Sequence, residues 1–456
     1  MAAKKTSPGH KPPRKTAPAP SSSSARNIGH PVFAEPQPTP DPTTFRIKHP
    51  SDADAFKQID ELNKEHKLFP KKFPAPRGGK EPRLTLEDVF GGNTTAIQNI
   101  TKNGQVVFHS TGDCGSTKGP KTQNEVTDKM VSDFNEAIPK EIPQFCLLLG
   151  DVVYNFGETE FYFDQFYDNY RDYPAPILAA AGNHDGMVAP GVKTDTLAGF
   201  LANFCAEGFV VMPEAGGLSR TAQIQPGVFY TFEAPFVRIL VLYSNTLEDP
   251  GVIADDNIGT SQLTFLEAAL TRVKTEKYTG ALMIADHHPP FTAVGSKHNS
   301  SSDMLKQIDQ ICDKVGVWPH AFLSGHSHNY QRFTRTRKDG SQIPYVVCGN
   351  GGHNALPIKM SGQTPRVPQI IQKAAAGVDQ VVFENYDAAT GHFGYLRVVV
   401  NATQLRIEYH PASDGSTLKA PDDSVTIDLK TRKITHFDAN DQGFPAAAAK
   451  IAAMRR

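Results

Sequence analysis

The sequence predicts an α/β protein, and three observations carry that prediction. Continuous apolar runs of strand length alternate with segments of helical spacing through the middle of the chain. Strands joined by turn residues close it. Polar residues with acid–base or metal-binding chemistry recur where the apolar runs stop.

The elements follow in order. Residues 1–44 are rich in Pro, Ser and Thr and read as a disordered tail. The first 34 residues carry Lys4, Lys5, Lys11, Arg14, Lys15 and Arg26 and no acid, a charge of +6. Set against a total of −1, this leaves −7 for the remainder. The six charges are dispersed, so they read as a solvated tail rather than a binding patch. Residues 45–104 hold a helical pattern (AFKQIDELNKEH), a Pro/Lys-rich stretch and LTLEDVFGG, an N-terminal extension packing on the main body. The main domain is expected to span 105–430, with 431–456 as a C-terminal tail.

Within that domain, QVVFHSTGD (105–113) is an apolar run ending in Gly-Asp, and residues 122–138 show helical spacing. FCLLLGD (145–151) has the unbroken apolarity of a strand buried on both faces. FYFDQFYDNY reads as an aromatic helix and PILAAAGNHD (176–185) as the next strand. VRILVLYSN, a helix near 261–274, ALMIADHHP, a helix near 303–314, HAFLSGHSH and PYVVCGNGG continue the alternation. QVVFENY, YLRVVVN and LRIEYHP are antiparallel strands joined by turns.

Composition narrows the class. A chain of 456 residues, 39% hydrophobic and 21% charged, can bury a sizeable core. Lys plus Arg total 47 against 48 acids, which gives no reason to expect nucleic acid or an anionic membrane as partner. No apolar run approaches transmembrane length and no signal-like apolar segment opens the chain, so a cytoplasmic setting is expected unless the true start lies elsewhere. The five cysteines are odd in number, form no CxxC, and read as small buried hydrophobes.

Five apolar runs end in chemistry: GDCG (112–115), GDVVY (150–154), GNHD (182–185), HHP (287–289) and GHSH (325–328). Singly, each has a plainer reading as a turn, a cap or a core histidine. Together, Asp113, Asp151, Asn183, His287, His326 and His328 supply two carboxylates, an amide and three imidazoles. That is mixed oxygen/nitrogen ligation for first-row metals, with no thiolate set for structural zinc. One ion with an open position cannot use all six, whereas two ions sharing a carboxylate can.

These motifs resemble those of the calcineurin-like metallophosphoesterases and, more narrowly, the purple acid phosphatases. The wider family opens with Asp-x-His; here Asp113-Cys114-Gly115 lacks the histidine. The purple acid phosphatase pattern supplies instead a tyrosine three residues after the second aspartate, and Tyr154 stands there. The resemblance covers residues 105 to about 400 and implies a β-sandwich flanked by helices, α/β/β/α. It implies one metal on Asp113, Asp151, Tyr154 and His328, and a second on Asp151, Asn183, His287 and His326. Tyrosinate favours Fe(III) at the first site; Fe, Zn or Mn as a divalent ion would fill the second. His184 becomes the leaving-group acid, Asp185 the residue orienting it, and His298 a substrate contact, while His288 is a neighbour. GNGGH (349–353) resembles a Gly-rich loop near the site, or is a tight turn.

The function so implied is hydrolysis of phosphate esters by metal-activated water attacking phosphorus in line, with monoesters as small-molecule substrates. Phosphodiesters or nucleotide pyrophosphates are the alternative, and a non-catalytic metal-binding scaffold the alternative from another class. Oligomeric state is left open. Residues 45–104 are too short for the N-terminal β-sandwich of the larger plant-type enzymes, and Cys114 is either redox-active or simply buried. The Gly/Pro-containing segments 186–226 and 246–259 are expected to wall the pocket as loops.

Overall fold

The computed structural model describes residues 24–34, 74–135, 138–189, 192–245, 249–256, 258–294, 298–358, 366–375, 377–387, 392–412 and 420–435. The AFKQIDELNKEH pattern and the Ala-rich end of the chain lie outside these residues.

Two sheets pack face to face. In the seven-stranded sheet, Gln105–Thr111, Phe145–Leu149 and Ile177–Ala180 run parallel. Gly394–Asn401, Gln404–Pro411, Asp423–Asp428 and Lys433–Thr435 extend it as an antiparallel meander from the Gln105–Thr111 side. The nine-stranded sheet has a parallel centre of Val237–Val241, Ala281–Ala285, Ala321–Ser324 and Gln342–Cys348. Tyr230–Ala234 and Arg83–Thr85 lie on one flank; Tyr330–Thr336, Gln380–Tyr386 and Gln369–Gln372 lie on the other.

The strand period of two explains the layers. Val106, Phe108, Phe145, Leu147 and Leu149 meet Ile239, Val241, Met283, Ala285 and Leu323 between the sheets. Phe145 stacks on Phe108 at 4.6 Å and meets Phe232 of the opposite sheet edge-on at 4.9 Å. The alternate residues face outward. Cys146, Leu148 and Ala179 pack with Val126 and Met130 of the helix Lys121–Ser132. Leu240, Leu282, Ile284 and Phe322 are covered by Phe265 and Leu266 of Ser261–Thr275 and by Met304 and Ile308 of Ser302–Val315. The result is helix, sheet, sheet, helix, the architecture the motif resemblance implied.

Several local expectations change. Residues 24–34 fall inside the span read as a disordered tail, yet Arg26–Asn27 pairs with Val210–Val211. The Val32 carbonyl accepts from the Thr221 amide at 2.9 Å, and Phe33 packs on Phe90. Ile28, Val32 and Phe33 give this part of the tail the apolar groups the rest lacks. The aromatic helix is instead a 3-10 turn, Thr159–Phe161, running into a π turn, Phe163–Tyr167. Its rings are buried on more than one side, so no single helical stripe organises them. Segment 186–226 is not an open loop: Leu197, Phe200 and Phe204, around the helix Ala198–Phe204, join the outer core. The last strand, Lys433–Thr435, lies past the expected domain end at 430. All five cysteines are buried free thiols, and burial pushes the Cys114 thiol far up, against a redox role. Among the described residues, no helix is long and apolar enough to cross a membrane.

Candidate metal centre

The parallel strands of both sheets end at one rim. Gly112-Asp113, Gly150-Asp151 and Gly325-His326 follow three of them directly. Asp113, Asp151 and His326 all take left-handed backbones, with φ of 57°, 52° and 62°. Such conformations are sparsely populated by non-glycine residues and concentrate at functional sites. The preceding glycines are required by close approach. A Cβ on Gly150 would lie 2.5 Å from His287 Nδ1, and one on Gly182 would lie 2.1 Å from Asp151 Oδ1.

The first cluster comprises Asp113, Tyr154 and His328. The Tyr154 hydroxyl donates to Asp113 Oδ1 at 2.8 Å and lies 3.3 Å from His328 Nε2, which is 3.3 Å from the same carboxylate oxygen. Asp113 Oδ2 accepts from the His326 amide at 2.7 Å, fixing the carboxylate. The Tyr154 backbone is clamped at both ends by one side chain: its amide donates to Gln165 Oε1 at 2.8 Å, and its carbonyl accepts from Gln165 Nε2. Burial, then the charges of Asp113 and Asp151, hold the phenol's pKa well above its ordinary value.

The second cluster comprises Asp151, Asn183, His287 and His326. His287 Nδ1 donates to the Leu149 carbonyl at 2.7 Å, so neutral His287 presents a bare lone pair at Nε2. That lone pair faces Asn183 Oδ1 at 2.9 Å, Asp151 Oδ2 at 3.2 Å and His326 Nδ1 at 3.3 Å. While His287 is neutral its Nε2 meets the Asn183 and Asp151 oxygens as acceptor against acceptor, a repulsion that a bound cation or a proton on the ring relieves. The same demand appears as basicity: burial resists charging of His287, but Asp151 and Asp113 outweigh it and raise the ring to about 10. Ligands about 2.1 Å from a shared ion stand roughly 3.0–3.4 Å from one another, close to the separations in both clusters. Ligand atoms of Asp113, Asp151 and His287 all fall within 4.8 Å of one another, so the clusters adjoin.

The other expected residues fall around this pair. The His184 ring lies 4.4 Å from that of Tyr154; its Nδ1 donates to the Asn155 carbonyl at 2.7 Å, and its amide donates to Asp151 Oδ1 at 2.8 Å. Asp185 does not orient His184. Its carboxylate accepts from the Gly182, Val152 and Val153 amides, tying the loop after Asp151 to the loop that carries Asn183. The tight turn puts its side chain back on the strand ends rather than on the neighbouring ring. His288 is held by Ser244 Oγ at 2.7 Å, as a neighbour. His298 stands over the site, 5.0 Å from the His326 ring and 5.1 Å from the His328 ring. Two contributors were not read from the sequence. Gln165 carries no motif at all. His353 ends GNGGH, and its ring stacks on Tyr154 at 3.5 Å and 8°.

With fold and geometry in place, comparison with known proteins gives the class. Residues 109–330, just under half of the chain, match the family model for the calcineurin-like phosphoesterases. Among individual proteins, it is 24% identical over 212 residues to "Probable inactive purple acid phosphatase 9" of Arabidopsis thaliana, a match spanning 44% of this chain and 29% of that protein. Among solved structures, GAP50, the anchor in the inner membrane complex of Plasmodium, aligns over 73% of this chain and 90% of its own, at 13% identity and a TM-score of 0.46. A dimetal phosphatase from Danio rerio aligns over 71% of this chain and 99% of its own, at 11% identity and a TM-score of 0.40.

Proposed function

We propose that the chain is a binuclear-metal hydrolase of phosphate esters, with small phosphomonoesters as substrates. The observation that supports it is the pair of adjoining clusters, in which carboxylate, amide and phenol oxygens and imidazole nitrogens from separate strand ends converge at 2.8–3.3 Å. The word "inactive" describes the Arabidopsis protein; here every donor position carries a residue able to ligate a metal. In this reading one ion is held by Asp113, Asp151, Tyr154 and His328, and the other by Asp151, Asn183, His287 and His326. The Tyr154 phenol, here donating a hydrogen bond to Asp113, would bind as tyrosinate and favour Fe(III), with Fe, Zn or Mn as a divalent ion beside it. Bound ions would supply charge to neutralise phosphoryl oxygens and to acidify water.

The protein's residues do the rest. His184, anchored by Nδ1–H on the Asn155 carbonyl, can give a proton to the leaving oxygen from Nε2 when the ring is the imidazolium, and is left as the neutral ring afterwards. Burial lowers its pKa, and the Asp151 charge works the other way. His298, beside both His326 and His328, contacts the substrate. Asp185 and Gln165 hold the loops that carry the donors.

The test is metal content and visible absorption of the purified chain, with Tyr154→Phe and Asp151→Asn beside it. Two ions per chain, a visible charge-transfer band lost in Tyr154→Phe, and monoester hydrolysis lost in Asp151→Asn support the reading. Colourless protein with two manganese or zinc ions removes the tyrosinate assignment and puts phosphodiesters level with monoesters. Activity unchanged in Asp151→Asn rejects the site as catalytic.

A further inference from the structure

The strands Ala281–Ala285 and Ala321–Ser324 end at the metal-centre rim; their beginnings lie at the opposite one. There, Leu282, Gly280 and His320 form part of a cavity of about 520 Å³, within the size range of small-molecule sites. Val273, Val317 and Trp318 add apolar wall, and Lys274, Lys277, Arg337 and Arg432 line it with charge. Asp313 and Asp339 are its two acids, so the formal lining charge is +4 − 2 = +2.

The acids are already engaged. Both pair with Arg337, at 3.5 and 3.2 Å. Among the described residues, no carboxylate lies within ion-pair distance of Lys274, Lys277 or Arg432. Lys274 donates to the Val315 carbonyl at 2.6 Å, and Arg432 donates to the Trp318 and Pro319 carbonyls. Carbonyls satisfy the hydrogens without cancelling the charge. Arg432 also faces His320 Nε2 at 3.1 Å, and burial followed by the Arg432 charge pushes that ring down to about 3, so it adds no cation. Among the described residues, two polar atoms of the lining are buried without a hydrogen-bond partner, Arg337 Nε and Tyr278 Oη. Lys274, Lys277 and Arg432, with only Asp339 acting at longer range on Arg432, surround one open-mouthed cavity and give it a net positive field that suits a multivalent anion better than a neutral metabolite.

We infer that this cavity is a second ligand site, for a small phosphate-bearing anion, on the rim opposite the candidate metal centre. It does not depend on the catalytic reading.

Trp318 is the sole tryptophan of the chain, which makes the test local. The Arg337 guanidinium lies 3.5 Å over its ring, so an anion drawing that charge alters the emission. The experiment titrates pyrophosphate into the full chain under selective tryptophan excitation, at constant ionic strength. A saturable change with a midpoint below about 1 mM is expected. It should weaken at least tenfold in Lys277→Gln, an exposed position where folding is not at risk, and more in Arg432→Gln. It should be unchanged in Asp151→Asn, which separates this site from the metal rim. No saturable change, an equal midpoint in Lys277→Gln, or a response abolished by Asp151→Asn overturns the inference.

Discussion

Gly115 occupies the position where an Asp-x-His motif would place its histidine, and the structure says why nothing larger than hydrogen fits. A Cβ there would lie 2.5 Å from Gln165 Oε1, 2.7 Å from the Val152 carbonyl and 2.9 Å from Val153 Cα. Two of these are backbone atoms of the residues leading into Tyr154. The third belongs to the side chain that clamps the Tyr154 amide and carbonyl. Relief therefore means moving the Val152–Tyr154 loop or unlatching Gln165. Overpacking of this kind costs about 1–3 kcal/mol, and each buried backbone group left without a partner adds about 1–3 kcal/mol. Gly115→Ala should thus lose roughly 2–6 kcal/mol in urea unfolding of the metal-free chain, and should lose metal from the Tyr154 cluster. Gln165→Ala removes the worst contact, so the double variant should lose at least about 1 kcal/mol less than the sum of the singles. Gly115→Ala within about 0.5 kcal/mol of wild type with full metal content, or additivity in the cycle, would refute the reasoning.

Three other outcomes are expected. His184→Gln should lower kcat on alkyl phosphates by about 10²–10⁴, and less on aryl phosphates whose leaving group needs no proton; an equal loss on both would remove the acid role. Chelation should lower the thermal midpoint by several degrees, reversed by added metal, because ions bind the folded clusters and not the unfolded chain; an unmoved midpoint would count against a resident centre. The third concerns pH. Burial opposes the charge on Glu408, but the His410 hydrogen bond and the Arg397 and Arg406 charges outweigh it and hold the carboxyl at about 2, against 4.5 unperturbed. A depressed folded pKa contributes stability that is whole above pH 4.5 and is lost as pH falls toward 2, at most roughly 3 kcal/mol. Glu408→Gln should flatten the urea-midpoint profile over that window, and a profile parallel to wild type would contradict it.

The fold was legible where burial is two-sided. FCLLLGD and ALMIADHHP read as buried strands, because no alternation leaves a face for water, and both are inner parallel strands. Arg83–Thr85 and Tyr330–Thr336 were not read, because RLT and YQRFTRT mix polar and apolar groups without strict alternation. Their pairing comes from neighbours distant in sequence: Arg83 aligns with Thr231, and Arg332 with Asn385. The aromatic segment failed for a related reason. Its rings are sorted by the helix Ala198–Phe204 packed against them, not by their own period.

The candidate site was legible because strand ends spell the same pair of facts each time. In Gly150-Asp151 the aspartate is the donor and the glycine is the space through which His287 passes. In Gly182-Asn183 the glycine makes room for Asp151, and in Gly325-His326 for Asp113, whose Oδ2 would lie 2.8 Å from an added Cβ. Each glycine thus records the approach of a donor from a different strand, so the dipeptides together describe one convergent site before any coordinates are known. Gln165 leaves no such record, because its partner is the backbone of Tyr154, and backbone has no letter. Yet it is what joins the missing histidine to the tyrosine. The side chain that would collide with any residue at 115 is the one that fixes Tyr154, so the two departures from Asp-x-His are a single mechanical unit. A change at 115 should therefore cost less with a change at 165 than without it, while the clash with the Val152 and Val153 backbone remains.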